Sequence, residues 1–321
     1  MPVSTPYVTP QMITNAPTGV SWSIIPFPKA TTQQQYAEQL NICHRATGLV
    51  NGYVNQVLRA TIDTEQQSGP DYRVTIEQAT GNARAILQRW PVTQILAAQV
   101  SPNQLPRQWT QVPSGYWDIE HPTLGVYGSS VPSSAGEGGQ SVLIGGGLLD
   151  WSLGRKGYRL SVSYVNGWPH AGLAVNASAG ATTIHVDDVT GFGITDVAGF
   201  TGASAFIYDG ASTESVTVTG VSATTPLALP NGGGTAQAGP GTLTLAAPLT
   251  NAHTNSGVVV SSFPQDILWA TILAAATQAL ESGITAVSIQ NVTGSQTVGG
   301  HGVEDLELAY ERILEPYRRV I

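Results

Sequence analysis

Residues 162–173 read VSYVNGWPHAGL, and they decide how the chain is organised. Val162 and Tyr164 alternate with polar neighbours, as in a strand with one buried face. Asn166-Gly167 then breaks the run and Trp168-Pro169 closes it. A helix would be expected next, but it begins only at SFPQDILWATILAAATQAL, residues 262–280. The stretch between, 172–262, is small, polar and Gly-rich. Its pieces ATTIHVDDVTGF, ASAFIYDG, ESVTVTGV, GTLTLAAPL and GVVVSS each read as a short alternating strand, punctuated by Gly, Asn, Pro or Asp. Such strands make a small β-barrel or sandwich. Composition and pattern shift together at both borders, which marks an all-β domain inserted into another domain.

Composition agrees with a β-rich chain. Of 321 residues, 41% are hydrophobic and only 11% charged, with 36 glycines. Simple disorder would need fewer apolar residues and more charge. The longest apolar run, around Ile267 to Ala276, is about half of the roughly 20 residues a membrane span requires, and MPVSTPYVTP has neither the basic nor the apolar part of a signal peptide. One cysteine, Cys43, excludes an internal disulfide framework and fits a reducing compartment. It lies on an apolar helical stripe, as a buried structural thiol would.

Charge is uneven. No Lys or Arg lies between Arg159 and Arg312, an interval that holds Asp187, Asp188, Asp196, Asp209, Glu214, Asp266, Glu281, Glu304, Asp305, Glu307 and Glu311. Gripping a phosphate backbone needs cations, because counterion release supplies most of the affinity. This interval is not built to hold nucleic acid, although DNA can pass it without sticking.

Outside the insertion the pattern predicts an α+β domain. Six prolines (Pro2, Pro6, Pro10, Pro17, Pro26, Pro28) predict an extended arm over 1–30 rather than a regular element. Its apolar Trp22, Ile24, Ile25 and Phe27 need cover, either from the chain's own core or from a neighbouring subunit. Thr32 with Gln35 reads as a capping box opening a helix, with Tyr36, Leu40, Cys43, Thr47, Val50 and Val54 on one face. Gly48 and Gly52, one turn apart, suggest a closely packed second backbone or a frayed helix. Short strands follow from about Val57 to Val165 (YRVTIEQ, ARAILQRWPVTQILAAQVSP, YWDIE, SVLIGG, YRLSVSYV), separated by long Gly/Ser/Pro loops, notably 128–140. Two helices close the chain. The first starts near Pro264 and ends near Gly283. The second, VEDLELAYERILEPYRRVI, places acids in its first turn, as its dipole favours, and should end or kink at Pro316.

Signals for catalysis are poor. His185, Asp187 and Asp188 could form a metal cluster, but a strand puts His185 and Asp187 on one face and Asp188 on the other, and a strand end running into a turn explains the acids. The other histidines lack ligand spacing. Gly145–Gly147 and Gly232–Gly234 lack the Lys-Ser/Thr of a phosphate loop. The expectation is a protein that is not an enzyme and needs no cofactor or metal.

With 172–262 removed, the order of elements resembles the head–tail connector (adaptor) proteins of long-tailed bacteriophages. The matching phrases are YVTPQMITNAPTGVSW (7–22), the Val-x-Tyr-x-x-Gly-aromatic strand end at 162–168, Pro-x-Asp-Ile at 264–267 and Leu-x-Pro-Tyr-Arg-Arg at 314–319. The insertion looks like the small β-modules carried at this point by some members, through AGATTIHVDDVTGF, YDGASTESVTVT and LTNAHTNSGVVV. The resemblance implies a helical connector core with short strands (31–171 and 263–321), an N-terminal arm (1–30) and an inserted β-domain (172–262). It implies a structural virion protein, assembled in the bacterial host cytoplasm into a dodecameric ring at the neck. Its partners would be the portal protein, the next neck (stopper) or tail protein and copies of itself. Genomic DNA would pass through the lumen without specific binding, and no membrane is involved. Within that picture Tyr317, Arg318, Arg319, Val320 and Ile321 are candidates for portal contact, although a helix end packed on its own subunit fits them too. Trp22, Ile24, Ile25 and Phe27 are candidates for an intersubunit arm, and Gln296, Thr297 and His301, in the polar loop 291–302, for the channel wall. The rival reading is a virion or tail surface protein whose β-domain recognises host carbohydrate through Phe192, Phe200, Phe206 and Tyr208, residues that could equally fill a barrel core. A metal hydrolase would rest on His185, Asp187 and Asp188 alone.

Overall fold

The structure, a computed structural model, describes residues 5–27, 29–68, 74–76, 83–102, 105–114, 117–120, 141–144, 158–193, 204–281 and 303–319. It is α+β, with four α-helices and several antiparallel sheets among the described residues.

The first correction concerns the N-terminus, where the prolines suggested an extended arm. Pro10–Asn15 is a helix, α1, and Trp22–Ile24 is a 3-10 turn. Thr9 caps α1, its hydroxyl accepting from the Met12 amide at 3.2 Å. Pro10 occupies the first turn, where a missing N–H loses no partner and the fixed φ is already helical. Proline therefore starts an element here.

The long helix α2 (Thr32–Val54) also begins differently from expectation. Its cap is Thr31, not Thr32, and the capping box closes with Gln34. The sequence offers two overlapping Thr-x-x-Gln pairs, so spacing alone could not choose. Gln35 instead donates from Nε2 to the Ser23 carbonyl, tying the helix to the segment before it. Asn55, in the left-handed region at φ 56, ends α2. The two last helices are α3 (Gln265–Glu281) and α4 (Val303–Leu314), and α4 passes at Pro316 into a 3-10 turn, Glu315–Tyr317. Helix α3 is buried on most of its circumference. Thr271 and Thr277 can lie inside because their hydroxyls donate to the carbonyls one turn back, Ile267 at 2.8 Å and Leu273 at 3.0 Å. These helices and residues 7–25 enclose one core, which includes Tyr7, Ile13, Ile25, Ile42, Val50, Ile267, Leu306 and Leu314.

Two four-stranded antiparallel sheets lie between α2 and the barrel in chain order. One has the order β1 (Thr61–Ser68), β8 (Tyr158–Asn166), β4 (Val92–Pro102), β5 (Thr110–Val112). The other has β2 (Val74–Ile76), β3 (Ala83–Ile86), β7 (Ser141–Ile144), β6 (Trp117–Glu120). In β8 the alternation read from sequence holds. Leu160, Val162 and Tyr164 enter an apolar cluster with Ile95, Ala98 and Val100, while Ser161 and Ser163 occupy the opposite face.

The described residues of 170–261 form a strongly curled antiparallel sheet, a half-barrel called the barrel below. Its six strands run β10 (Thr183–Val186), β15 (Gly241–Leu245), β12 (Glu214–Ala223), β11 (Ser204–Tyr208), β16 (Val259–Ser261), β9 (His170–Gly172). The sheet curls until its edges meet. Leu173 bridges Val186, and the Asp187 amide donates to the Gly172 carbonyl at 3.0 Å. Closure removes the exposed edges that invite aggregation. The core is built from Ile184, Val186, Ile207, Leu243, Val260 and their neighbours, and it shares no buried residue with the helical core. The chain enters through β9 and leaves through β16, which pair with each other: His170 opposes Ser261 and Ala171 opposes Val260. Strand β9 was not foreseen, because Pro169-His170-Ala171-Gly172 carries no alternating apolar signal.

A two-stranded hairpin, β13 (Leu227–Ala228) and β14 (Thr235–Ala236), projects from the barrel onto the polar face of the first sheet. Leu229 and Ala236 cover Ala97, Gln99 donates from Nε2 to the Asn231 carbonyl at 2.9 Å, and Ser161 and Gln99 are buried.

Candidate functional site

The segments that carry the resemblance lie far apart in sequence, and the fold brings them to one aromatic joint. Gly167, at the end of β8, has φ +84, and a Cβ there would sit 2.6 Å from the carbonyls of Leu58 and Arg59. Only glycine admits that backbone approach. It lets the Trp168 amide donate to Leu58 at 2.9 Å and the Trp168 carbonyl accept from Ala60 at 2.7 Å. Trp168 is thereby aimed into the helical core, 6.3 Å from Phe263 and 5.6 Å from Tyr317, centroid to centroid. Trp90 stacks on Tyr317 with planes 9° apart. Tyr7 packs edge-on against Phe263 at 4.7 Å. Each such pair adds about 0.5–1.5 kcal/mol beyond the area it buries.

Polar bonds fix the joint. Tyr317 donates its hydroxyl to Asp266 Oδ2 at 2.6 Å, joining the C-terminal turn to the start of α3. Burial, and then this carboxylate, push the Tyr317 phenol well above the ordinary tyrosine value. The Tyr7 hydroxyl accepts from the Leu58 amide at 2.9 Å and donates to Asn51 Oδ1 at 2.6 Å. His170 lies where the N-terminal segment meets both barrel strands. Its Nε2–H donates to the Pro6 carbonyl at 2.8 Å, and its Nδ1 accepts from the Ser261 hydroxyl at 3.0 Å. Burial pushes the His170 pKa down to about 4, so the ring is neutral at neutral pH. The joint therefore positions helices, strands and barrel.

The residues singled out from sequence divide across this arrangement. Trp22 and Ile25 are buried in the chain's own core and Ile24 is half-buried, which leaves Phe27, 48% exposed, as the member of the arm that faces outward. Tyr317 is internal, so it does not reach a partner's groove. Arg318 is exposed above the Tyr53 ring and beside Glu315. Arg319 is held by the Val54 carbonyl and by Gln88 Oε1. Val320, Ile321, Gln296, Thr297 and His301 lie outside the described residues, as do loop 128–140, Gly145–Gly147 and Phe200. Phe192 is buried in the barrel core, whereas Phe206 and Tyr208 lie on its outer face with rings 5.8 Å apart.

His185, Asp187 and Asp188 do not converge. His185 meets the Thr242 hydroxyl, Asp187 accepts from the Gly172 amide and Thr5 hydroxyl, and Asp188 accepts from Thr190 and the Gly239 amide. Among the described residues no three His, Cys, Asp or Glu side chains are grouped to hold a metal ion. Burial pushes the Cys43 thiol up to about 12, so it is protonated at neutral pH. No described helix is long and apolar enough to cross a membrane. Gly48 and Gly52 correct another expectation: they lie on the exposed side of α2, with nothing in the described chain near the place of a Cβ. A cleft of about 390 Å³ in the seam between sheet and barrel, with Gln94, Leu96 and Val165 on one side and Phe192, Val221 and Gln237 on the other, has no charged side chain in its lining.

Sequence reasoning missed Trp90 and His170. The only signals were an aromatic preceding Pro91 and a His following Pro169, and neither states a spatial partner. No protein-family model, no curated protein and no solved structure matches this chain.

Proposed function

We propose that this chain is a structural protein of the phage virion: a ring subunit at the head–tail interface, binding the portal on one side and the next neck or tail protein on the other, with DNA passing through the lumen. It acts by assembly and performs no catalysis. The observation that carries this reading is the convergence of the four resemblance segments on one joint: Tyr317 packs on Trp168 and donates to Asp266, and Tyr7 and Trp168 both pack on Phe263, the residue just before 264–267. The barrel strands enter and leave beside each other there, as an insertion into a pre-existing domain requires. The interval free of Lys and Arg supports a passage that does not hold DNA, and heterologous contacts that close make rings. The test is to mix the protein with its portal and record light scattering and negative-stain images. Rings seated on the portal are expected, and dispersed monomers at every concentration would end the proposal. A chain that is monomeric alone but assembles on the portal agrees with it.

The exposed Phe206, 44% accessible and beside Tyr208, favours a second reading in which the barrel's outer face recognises carbohydrate. Glycan-array binding that Phe206→Ala abolishes would support it.

A further inference from the structure

The barrel holds a second buried histidine in surroundings opposite to those of His170. The His253 side chain is fully buried, with Nδ1 3.0 Å from Asp209 Oδ2 and Nε2 2.8 Å from Glu214 Oε1. Both ring nitrogens therefore face carboxylate oxygens, and only the imidazolium can donate to both. Glu214 also accepts from the amides of Thr250 at 2.8 Å and Asn251 at 2.9 Å. Burial alone would raise this carboxyl, but those amides and the ring hold it below the ordinary carboxylate value, so it stays charged. The His253 backbone exchanges two hydrogen bonds with Ala177, and Asn255 is tied to Asn176 and Ala174. Asp209 and Glu214 are the charged groups that face the ring; apart from His253 itself, residues 249–257 and the Gly210–Thr213 turn carry no titratable side chain.

Two contacts with the helical domain flank this cluster. A Cβ on Gly210, next to Asp209, would stand on the Gln11 side chain of α1. A Cβ on Gly257, four residues after His253, would lie 2.5 Å from the Tyr36 hydroxyl of α2. Segments leading directly from the ring and its carboxylate partner thus press on the first two helices.

We infer that Asp209, His253 and Glu214 form a protonation-dependent latch that holds loop 249–257 closed and, through Gly210 and Gly257, seats the barrel on α1 and α2. A ring that lost one proton would turn the lone pair of one nitrogen toward a carboxylate oxygen, with the imidazole itself fully buried. That contact becomes repulsive and the loop loosens. The latch is independent of the proposed neck assembly.

The test uses the full chain between about pH 5.5 and 9. Long-range nitrogen-15 spectra read the protons on the His253 ring, and amide exchange, corrected for intrinsic rates, reads loop 249–257. Two ring protons are expected wherever the loop is protected, with protection falling roughly tenfold as the second proton leaves. Asp209→Asn, whose amide can pair with either form of the ring, should remove that pH dependence. A singly protonated ring under a fully protected loop overturns the inference, and so does an unchanged pH dependence in Asp209→Asn. Should that variant fail to fold, the ring spectra of the unaltered chain decide alone.

Discussion

The helical core draws its side chains from Tyr7 to Tyr317, whereas the barrel core comes wholly from residues 171–260. The first is closed by large aromatics meeting across long sequence separations, the second by aliphatic and small residues on neighbouring strands. They meet through polar and apolar contacts alike: His170 bonds to the Pro6 carbonyl and lies against the Phe263 ring, Asp187 accepts from Thr5, and Tyr208 packs on the helical core and accepts from Gln265. A face of the first sheet that carries Ser161, Ser163 and Gln99 is a face composed for water, and the barrel's hairpin covers it. The comparison teaches that the barrel keeps a core of its own and meets the helical core along a seam of single contacts.

The largest expected effect follows from that statement. Excising residues 173–258, with β9 and β16 rejoined by a short turn, should leave a cooperative unfolding transition for the helical domain and delete the one belonging to the barrel. Calorimetry that finds no folded remainder would break the comparison. Paired truncations sharpen it. Trp168→Ala should destabilise the helical domain by about 3–5 kcal/mol and Leu243→Ala the barrel by about 2–5 kcal/mol. Each should move its own transition in urea, and equal movement of both would mean a single cooperative unit.

Acid should act at the seam next. The His170 pKa is pushed down to about 4 from an ordinary 6.5, so the unfolded chain binds the proton first. Stability from the neutral ring is complete above about pH 6.5 and is lost as pH falls toward 4, a contribution of about 3 kcal/mol. Urea midpoints measured across that window should decline in the natural chain and decline less in His170→Gln. The smallest effects concern Gly48 and Gly52. With open space around both, Gly48→Ala and Gly52→Ala should each stabilise the isolated chain by about 0.5–1 kcal/mol. If a neighbouring subunit packs on that helix face, the same substitutions should weaken ring formation on the portal.

Much of the secondary structure was legible. The helices over 32–54, from 265 and from 303, and the strand phrases between them, followed from periodicity, because one-sided burial imposes a period of 3.6 or 2. The run of short strands over 172–262 was legible from its change of composition and pattern. The N-terminal helix was not, because proline marks a helix start as readily as a break. Strand β9 was hidden because its pairing partner lies about ninety residues away, at Val259–Ser261. Of the candidate site, the phrases were visible but their meeting was not.

By itself the sequence determined many of the stretches that are helix and strand, that a sparsely charged β-rich segment lies between two stretches of mixed pattern, and that a broad middle interval carries no Lys or Arg. These depend on local pattern and composition. Only the tertiary structure decided that Tyr7, Trp90, Trp168, Phe263 and Tyr317 share one joint, that Tyr317 turns inward while Arg318 stays out, and that one buried histidine is held neutral while the other lies between two carboxylates. The reason is physical: burial and partner choice are set by side chains remote in sequence, and no local period encodes which of them will meet.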